Sequence, residues 1–454
     1  MNFKLLDSTV DKVLSYQPYS TKNIRHFEIK SNQAKIARFI DLFAGLGGTR
    51  IGFEQGCNEL GVIPECVFTS EIKEHAIAVY KSNFADSKIS GDITKIEPNT
   101  IPDFDYMLAG FPCQPFSSAG KRNGFLDERG GLFFTILKIL KEKSPQGFLL
   151  ENVDGLVTHN NGETLVVILT ELEKIGYQVS WKILDSSEFG VPQKRNRVYI
   201  VGTKSFKPIL EKFNFSYKNT GEFIEHSAPV KPTPFTKLLL KNFSIDELHG
   251  KSIKDKRGGA NNIHSWDLEV KGSVTKEQKN ILELVLKKRR YKKWAVAKGI
   301  EWMDGMPLTY DEICTFYKHP QLQQNLNDLT QKGYLKLEHP KKKVTIDGIS
   351  KRVPHCDSPK GYNIVAGKLS FPLAVIIDPN DVSPTIVATE AGKIGVATKK
   401  GVRSITVHEG LRFSGFPESY KMSEIDYSKA FDLIGNTVMP PVIKAVALKI
   451  LSER

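Results

Sequence analysis

The chain has 454 residues, 40% of them hydrophobic and 25% charged, the balance of a folded protein rather than of a disordered or fibrous one. No run of about 18 apolar residues occurs, and the first twenty residues lack the basic, apolar and small-residue order of a signal peptide, so neither a membrane-spanning nor a secreted protein is expected. The five cysteines (Cys57, Cys66, Cys113, Cys314 and Cys356) form no CxxC pair, which speaks against a disulfide framework or a zinc site, while a net charge of +13 suits a polyanionic partner.

Residues 1–38 read as an N-terminal extension. From 39 to 202 short apolar runs alternate with amphipathic stretches: ARFIDLF (37–43), CVFTSEI (66–72), HAIAVYKSNF (75–84), FDYMLAG (104–110), TILKILKEK (135–143), FLLENV (148–153) and RVYIVG (197–202). Buried strands alternating with helices predict an α/β domain with a largely parallel sheet, which binds ligands at the carboxyl ends of its strands. The chemistry-bearing residues fall at those predicted ends.

The first strand runs through Asp41 and Phe43 into Gly45, Gly47 and Gly48 and then a helix. Glycines between strand and helix let the backbone come close to a ligand and aim helix N–H groups at its anionic part. A tight turn in any doubly wound protein would look similar, and the spacing is not the G-x-G-x-x-G of dinucleotide binders. Glu71 follows the second strand, where an acid can accept from ribose hydroxyls, and Asp92 follows the third, where one can accept from an adenine amino group; either could also be a helix cap.

GFPCQPFSSAGKRNGF (110–125) places Cys113 just after a strand, between Pro112 and Pro115. A free cysteine is more often a small buried hydrophobe, but this one sits on the ligand-bearing edge. The segment after it, with Ser117, Lys121 and Arg122, suits a loop that closes on a phosphate backbone. ENVDGL (151–156) adds Glu151 to the same rim, and QKRNR (193–197) adds Arg195 and Arg197, which share a face of an extended segment and can bind a base oxygen or phosphate.

Residues 203–383 hold 31 Lys and Arg against 20 Asp and Glu, an excess of 11 out of the chain's 13. Chemistry and polymer binding are therefore expected in different parts of the chain. Helical patterns at 275–290, 309–318 and 320–332 are followed by YLKLE, a KKK run and VTI, a winged-helix-like order. Arg289, Arg290, Lys292 and Lys293 in KKRRYKKW (287–294), and the lysines at 341–343, are the densest candidates for phosphate contact, with a solvated helix face as the plain alternative. A helix closes the chain over PPVIKAVALKILSE.

The series FxGxG, PCQ, ENV, QxRxR and GNTV resembles the DNA (cytosine-5)-methyltransferases, especially those of bacterial restriction–modification systems, over 39–202 and roughly 384–447. The resemblance implies a Rossmann-like S-adenosylmethionine-dependent methyltransferase domain (39–202) and a second, smaller target-recognition domain (203–434), before a C-terminal segment (435–454) that returns to the first. It further implies that Asp41, Phe43 and the Gly45–Gly48 loop hold S-adenosylmethionine, that Glu71 takes the ribose, and that Asp92 with Ile93 takes the adenine, while Asn436 lies near the cofactor. Cys113 matches the nucleophile, Glu151 the acid, and Arg195 and Arg197 the two arginines, with Thr385 in the short element that closes the recognition region. Ile72 stands where an aromatic residue often packs on adenine, and Ala119 where some members have serine.

The expected reaction transfers a methyl group to carbon 5 of a cytosine flipped out of duplex DNA, through a Cys113–carbon 6 adduct, leaving S-adenosylhomocysteine and needing no metal. Expected partners are double-stranded DNA and a cognate restriction endonuclease acting on the same site without direct binding. The protein is expected to be a cytoplasmic bacterial monomer, nucleoid-associated when on DNA, with no membrane contact. The alternatives are a tRNA cytosine-5 methyltransferase, disfavoured by the long basic insertion, and a non-catalytic DNA-binding homologue, disfavoured by the presence of Cys113, Glu151 and the glycine loop.

Overall fold

The structure is a computed structural model and describes residues 35–85, 87–112, 131–255, 259, 261–301, 305–346, 349–365, 371–422 and 424–452. Cys113, Ser117, Ala119, Lys121, Arg122 and almost all of the N-terminal extension lie outside the described residues.

The expected alternation forms one seven-stranded sheet. In chain order its elements are β1 (Ile36–Leu42), α1 (Gly48–Glu59), β2 (Ile63–Ser70), α2 (Glu74–Asn83), β3 (Ile89–Ser90), β4 (Tyr106–Gly110), α3 (Leu132–Lys143), β5 (Gly147–Val153), β6 (Gln178–Asp185) and β7 (Asn196–Thr203). The strand order is β3-β2-β1-β4-β5-β7-β6; β1 to β5 are parallel, and β7 runs antiparallel between β5 and β6. From β1 the chain winds outward to β2 and β3, then resumes on the other side with β4. The loops after β1 and β4 therefore flank a topological switch point, where such sheets bind ligands.

Register brings the strand ends level. Leu42 stands opposite both Ser70 and Ala109, Gly110 opposite Glu151, and Val153 opposite Arg197. Because β7 is antiparallel, its beginning lies on the same rim as the ends of its parallel neighbours. Apolar side chains fill both faces: Phe39, Leu108 and Val201 on one, Ile40, Met107 and Ile200 on the other.

The C-terminal helix Pro440–Leu451 covers the first of these faces and lies along α1. The approach is close enough that a Cβ on Gly52 would come within 2.5 Å of Ile443 Cβ and Pro440 O. Helix α1 has no side-chain N-cap, so this packing rather than capping defines it.

Between β7 and that helix lie two further sets of elements. A small five-stranded sheet joins strands Gly401–Ser404, Ile394–Thr398, Val375–Ile376, Ser252–Ile253 and Asn262–Ile263, so pairing runs across position 383, where the basic stretch ends. The second set runs from helix Lys276–Lys288 through Lys293–Ala297, Tyr310–Cys314 and Leu322–Gln331 to strand Leu335–Glu338, hairpin strands Lys341–Ile346 and Ile349–Pro354, and strand Gly361–Ile364. Its apolar core is separate, built on Trp266, Ile281, Val285, Leu326, Leu329 and Ile364. The helix expected at 309–318 stops at Cys314 and gives way to a turn over 315–316.

Candidate active site

The loop after β1 separates the roles of its glycines. Phe43 (φ 56°), Gly45 (φ 53°) and Gly47 (φ 74°) are left-handed, so the chain turns sharply before α1. A Cβ on Gly45 would meet only Phe43 O at 4.0 Å, leaving open space beside the backbone, as a ligand-facing position requires. At Gly47 and Gly48 packing adds a second requirement. A Cβ on Gly47 would lie 2.6 Å from the Phe84 ring, and one on Gly48 would lie 2.5 Å from Val438 O. Neighbouring protein atoms alone exclude side chains at these two positions.

Asp41 also departs from the cofactor expectation. It is fully buried, and its carboxyl accepts from Thr49 Oγ1 at 2.6 Å and Tyr80 Oη at 3.2 Å. Burial pushes its pKa up to about 7, against the opposing effect of the Thr49 hydrogen bond. The group ties β1 to α1 and α2 beneath the loop and does not face it.

Glu71 does face the loop. One carboxylate oxygen accepts from Gly45 N at 2.8 Å and the other from Ile72 N and Lys73 N at 2.7 and 2.9 Å. A carboxylate has about four acceptor positions, so one remains for a ligand hydroxyl. Ile72, next in the chain, is 68% exposed and offers an aliphatic surface beside it. Asp92 caps the turn Ile93–Lys95, accepting from Thr94 N and Oγ1 on one oxygen; these bonds hold its pKa below the usual value, and the other oxygen has Lys95 Nζ at 3.7 Å. The Ile93 side chain is buried in the core, so only its backbone can face a ligand. Asn436 is exposed and donates to Asp432 O and Oδ1 within its own helix, while Asp432 also pairs with Lys73 beside Glu71.

On the other side of the switch point, β4 ends at Gly110, and Phe111 and Pro112 lead on toward Cys113. Asn152 Nδ2 donates to Phe111 O at 2.9 Å and so fixes the backbone two residues before the thiol. Glu151 is buried next to it, and a Cβ on Gly110 would stand 3.5 Å from Glu151 Oε2. Burial raises the Glu151 pKa, while Arg197 and Arg195 oppose the rise. Arg197 Nε pairs with Glu151 Oε1 at 3.1 Å.

Arg195 behaves differently from its neighbour and from the expectation that it binds base or phosphate. It is 3% exposed, and its guanidinium donates to three backbone carbonyls: Ile386 O at 3.1 Å, and Gly435 O and Thr437 O, both at 3.0 Å. Burial, helped by Arg197, pushes its pKa down to about 10. Arg195 is a clamp between the start of β7 and the GNT segment. Gln193, which had no assigned role of its own, does similar work: Nε2 donates to Phe413 O, and Oε1 accepts from Ile386 N. Thr385 donates to Lys194 O at 2.6 Å, so the 383–386 element is strapped to the same strand approach. Sequence spacing placed these residues on the rim but gave no sign that they bond to chain two hundred residues away.

In the basic stretch, Arg289 is not a surface cation. It is 6% exposed and donates to Asn363 Oδ1, joining the end of helix Lys276–Lys288 to strand Gly361–Ile364. Arg290 is half-buried and lines a cavity with Phe243, Asn262 and His264. Lys292 and Lys293 are exposed, the latter with its ammonium 4.2 Å from the Trp294 ring centre.

Residues 37–452 match the family described as C-5 cytosine-specific DNA methylase. The chain is 53% identical over 421 residues to the type II methyltransferase M.NlaIV of Neisseria lactamica, covering 91% of this chain and 98% of that protein. It is equally similar, with the same coverage, to M.NgoBV of Neisseria gonorrhoeae. M.BanI of Aneurinibacillus aneurinilyticus is 39% identical over 435 residues, covering 90% of this chain and 94% of that protein.

Proposed function

The chain belongs to the C-5 cytosine-specific DNA methylase family, and from that membership we propose how its strand-end rim performs the methylation. It is a DNA (cytosine-5)-methyltransferase of the type II restriction–modification kind. The observation that carries the mechanism is the position of Glu151: a buried carboxyl with a raised pKa, paired to Arg197 and opposite Gly110, three residues before Cys113.

Carbon 5 of cytosine is too electron-poor to attack an electrophilic methyl group unaided. Cys113, as thiolate, adds to carbon 6 while Glu151 donates a proton at N3, and the ring becomes an enamine with a nucleophilic carbon 5. Bound S-adenosylmethionine supplies the methyl group. Loss of the carbon 5 proton to a base then allows Cys113 to leave with the bonding electrons, and return of the N3 proton to Glu151 restores the neutral aromatic ring. Arg197 holds the Glu151 carboxyl in place and lies on the rim where the base oxygen would sit. Arg195, Gln193 and Asn152 position this group without touching the base.

The residues across the switch point fit the cofactor: the open side of Gly45, the remaining acceptor position of Glu71 for a ribose hydroxyl, the exposed Ile72 for the adenine face, and the second Asp92 oxygen for its amino group. The target-recognition part lies within residues 203–434, whose last stretch, from Ile386 to Ile434, packs instead on Leu46, Ile51 and Val79 of the sheet domain, and the enzyme acts on DNA in the bacterial cytoplasm as a monomer. A carbon 6 hidden within stacked bases requires the cytosine to leave the helix. Methyl transfer from labelled S-adenosylmethionine, assayed on duplex DNA and on tRNA, tests this reading. Label is expected in DNA alone, at one sequence found by bisulfite mapping, and incorporation into tRNA alone would refute it.

A further inference from the structure

Residues 276–364 follow the chain order of a winged helix more fully than their sequence suggested. After helix Lys276–Lys288, Leu308 bridges to Tyr362; helices Tyr310–Cys314 and Leu322–Gln331 follow, then strand Leu335–Glu338, an antiparallel hairpin, and strand Gly361–Ile364 paired back to 335–338. In such a module the last helix before the sheet is the one left free to enter a groove, and the hairpin projects beside it.

The surfaces of these two elements suit that division. Helix Leu322–Gln331 buries Leu322, Leu326 and Leu329, and turns Gln323, Gln324, Asn327 and Gln331 to solvent. Its one acid, Asp328, keeps a side chain 38% exposed but is tied up by Gln278 and Lys332. An exposed helical face made mostly of amides contrasts with the first helix of the same module, which exposes Lys276, Glu283 and Lys287. Amides carry a donor and an acceptor on one short stem, the pattern that matches base edges in the major groove. Gln323 Nε2 donates to Asn327 Oδ1 and Tyr362 Oη, which holds that part of the face in a fixed orientation.

The hairpin carries the complementary chemistry. Lys341, Lys343, Lys351 and Arg352 are exposed on its described strands. Lys343 and Arg352 are direct cross-strand partners, an arrangement of like charges that costs stability in isolation. Glu301 pairs with Lys343 and offsets only part of that charge. A phosphate backbone alongside would relieve the rest.

We propose that residues 276–364 form a winged helix that reads the target duplex, with helix Leu322–Gln331 presenting Gln324 and Gln331 to base edges and the hairpin gripping the flanking phosphates. This rests on the DNA methyltransferase reading above. The full-length protein should first be mapped for its methylated sequence; failure to methylate any duplex would sink that earlier reading and not this one in particular. Gln324→Ala and Gln331→Ala, singly and together, should then relax the methylated sequence at one base pair, lowering discrimination there by at least about 5-fold, the lower end of what one base contact supplies. Cofactor affinity should not move. The triple change Lys341→Ala, Lys351→Ala, Arg352→Ala should weaken binding to every duplex and reduce the log–log salt slope by up to about 0.9 per lost contact, with the methylated sequence unchanged. A double glutamine variant with wild-type sequence preference would overturn the base-reading role, and an unchanged salt slope in the triple variant would overturn the grip.

Discussion

The sheet rim and the winged-helix region use polar side chains in opposite ways. On the rim the two glutamates are buried and each is held by backbone or by another charge, Glu71 by three N–H groups and Glu151 by Arg197, while Asn152 holds the backbone at Phe111. In the winged-helix region the polar groups that matter are those left exposed, and buried ones such as Arg289 and Gln278 serve the fold. A reaction needs groups fixed in position and partly desolvated, whereas recognition of a hydrated polymer needs groups that can exchange water for bases and phosphates. Substitutions on the rim should therefore change rate or stability, and substitutions in the other region should change salt dependence or sequence preference.

The largest expected effect is at Cys113. Cys113→Ala removes the group that adds to carbon 6, so methyl transfer should disappear while DNA and cofactor binding persist. A tenth of wild-type turnover would be enough to reject the assignment. Next comes Glu151→Gln, which keeps the shape and removes the acid; single-turnover methylation should slow by roughly 100-fold or more. The raised Glu151 pKa adds a sign. Its protonated form is lost as pH rises through the elevated value, so a wild-type rate governed by that proton falls with rising pH and the Gln variant should lose this dependence. A variant defective only in cofactor affinity would place Glu151 in the wrong half of the rim.

The places of Glu71 and Glu151 were legible in the sequence because strand ends and short motifs are local. The alternation behind the sheet is a pattern of a few residues; Glu71 directly follows an apolar strand and Glu151 lies two residues before the end of one. What was not legible is distant closure. Asp41 sits in the glycine-loop motif, yet its burial depends on Thr49 and Tyr80, brought in by two helices. The spacing of Gly47 and Gly48 gave no sign that the Phe84 ring and the Val438 carbonyl leave no room for a side chain at either position. Arg289 stood in a run of cations, and only the sheet strand carrying Asn363 shows why it turns inward. Charge and spacing report which residues are available, whereas long-range packing decides which of them face solvent.

Arg195 and Arg197 sharpen the contrast within the rim itself. Arg195→Ala would leave the carbonyls of Ile386, Gly435 and Thr437 without their donor, costing on the order of 3 kcal/mol, so the melting temperature should drop along with activity. Arg197→Ala should slow methylation with a smaller drop in melting temperature than Arg195→Ala, since it leaves no backbone carbonyl without a donor and the Glu151 carboxyl it abandons can take up a proton. Equal loss of stability in both variants would erase the distinction between clamp and catalytic partner. Calorimetry beside single-turnover rates separates the two outcomes.

The smallest effect is expected from Lys292→Ala with Lys293→Ala, and it bears on how far the exposed-charge rule extends. Both lysines are exposed, but they begin the short helix Lys293–Ala297 just beyond the end of the first helix of the module, not on the amide-bearing helix or its hairpin. The Lys293 ammonium already rests over the Trp294 ring, so part of its charge is engaged. If both contact phosphate, the salt slope should fall by up to about 1.8, two contacts at about 0.9 each, with the methylated sequence intact. Engagement with Trp294 and distance from the hairpin argue for a smaller decrease than in the hairpin variant. Arg289 must be left in place in this experiment, because its removal would undo the bond to Asn363 and confuse a loss of fold with a loss of phosphate contact. A slope change larger than that of the hairpin variant would mean that DNA runs along the end of the first helix, and the orientation of the whole module on the duplex would then have to be reversed.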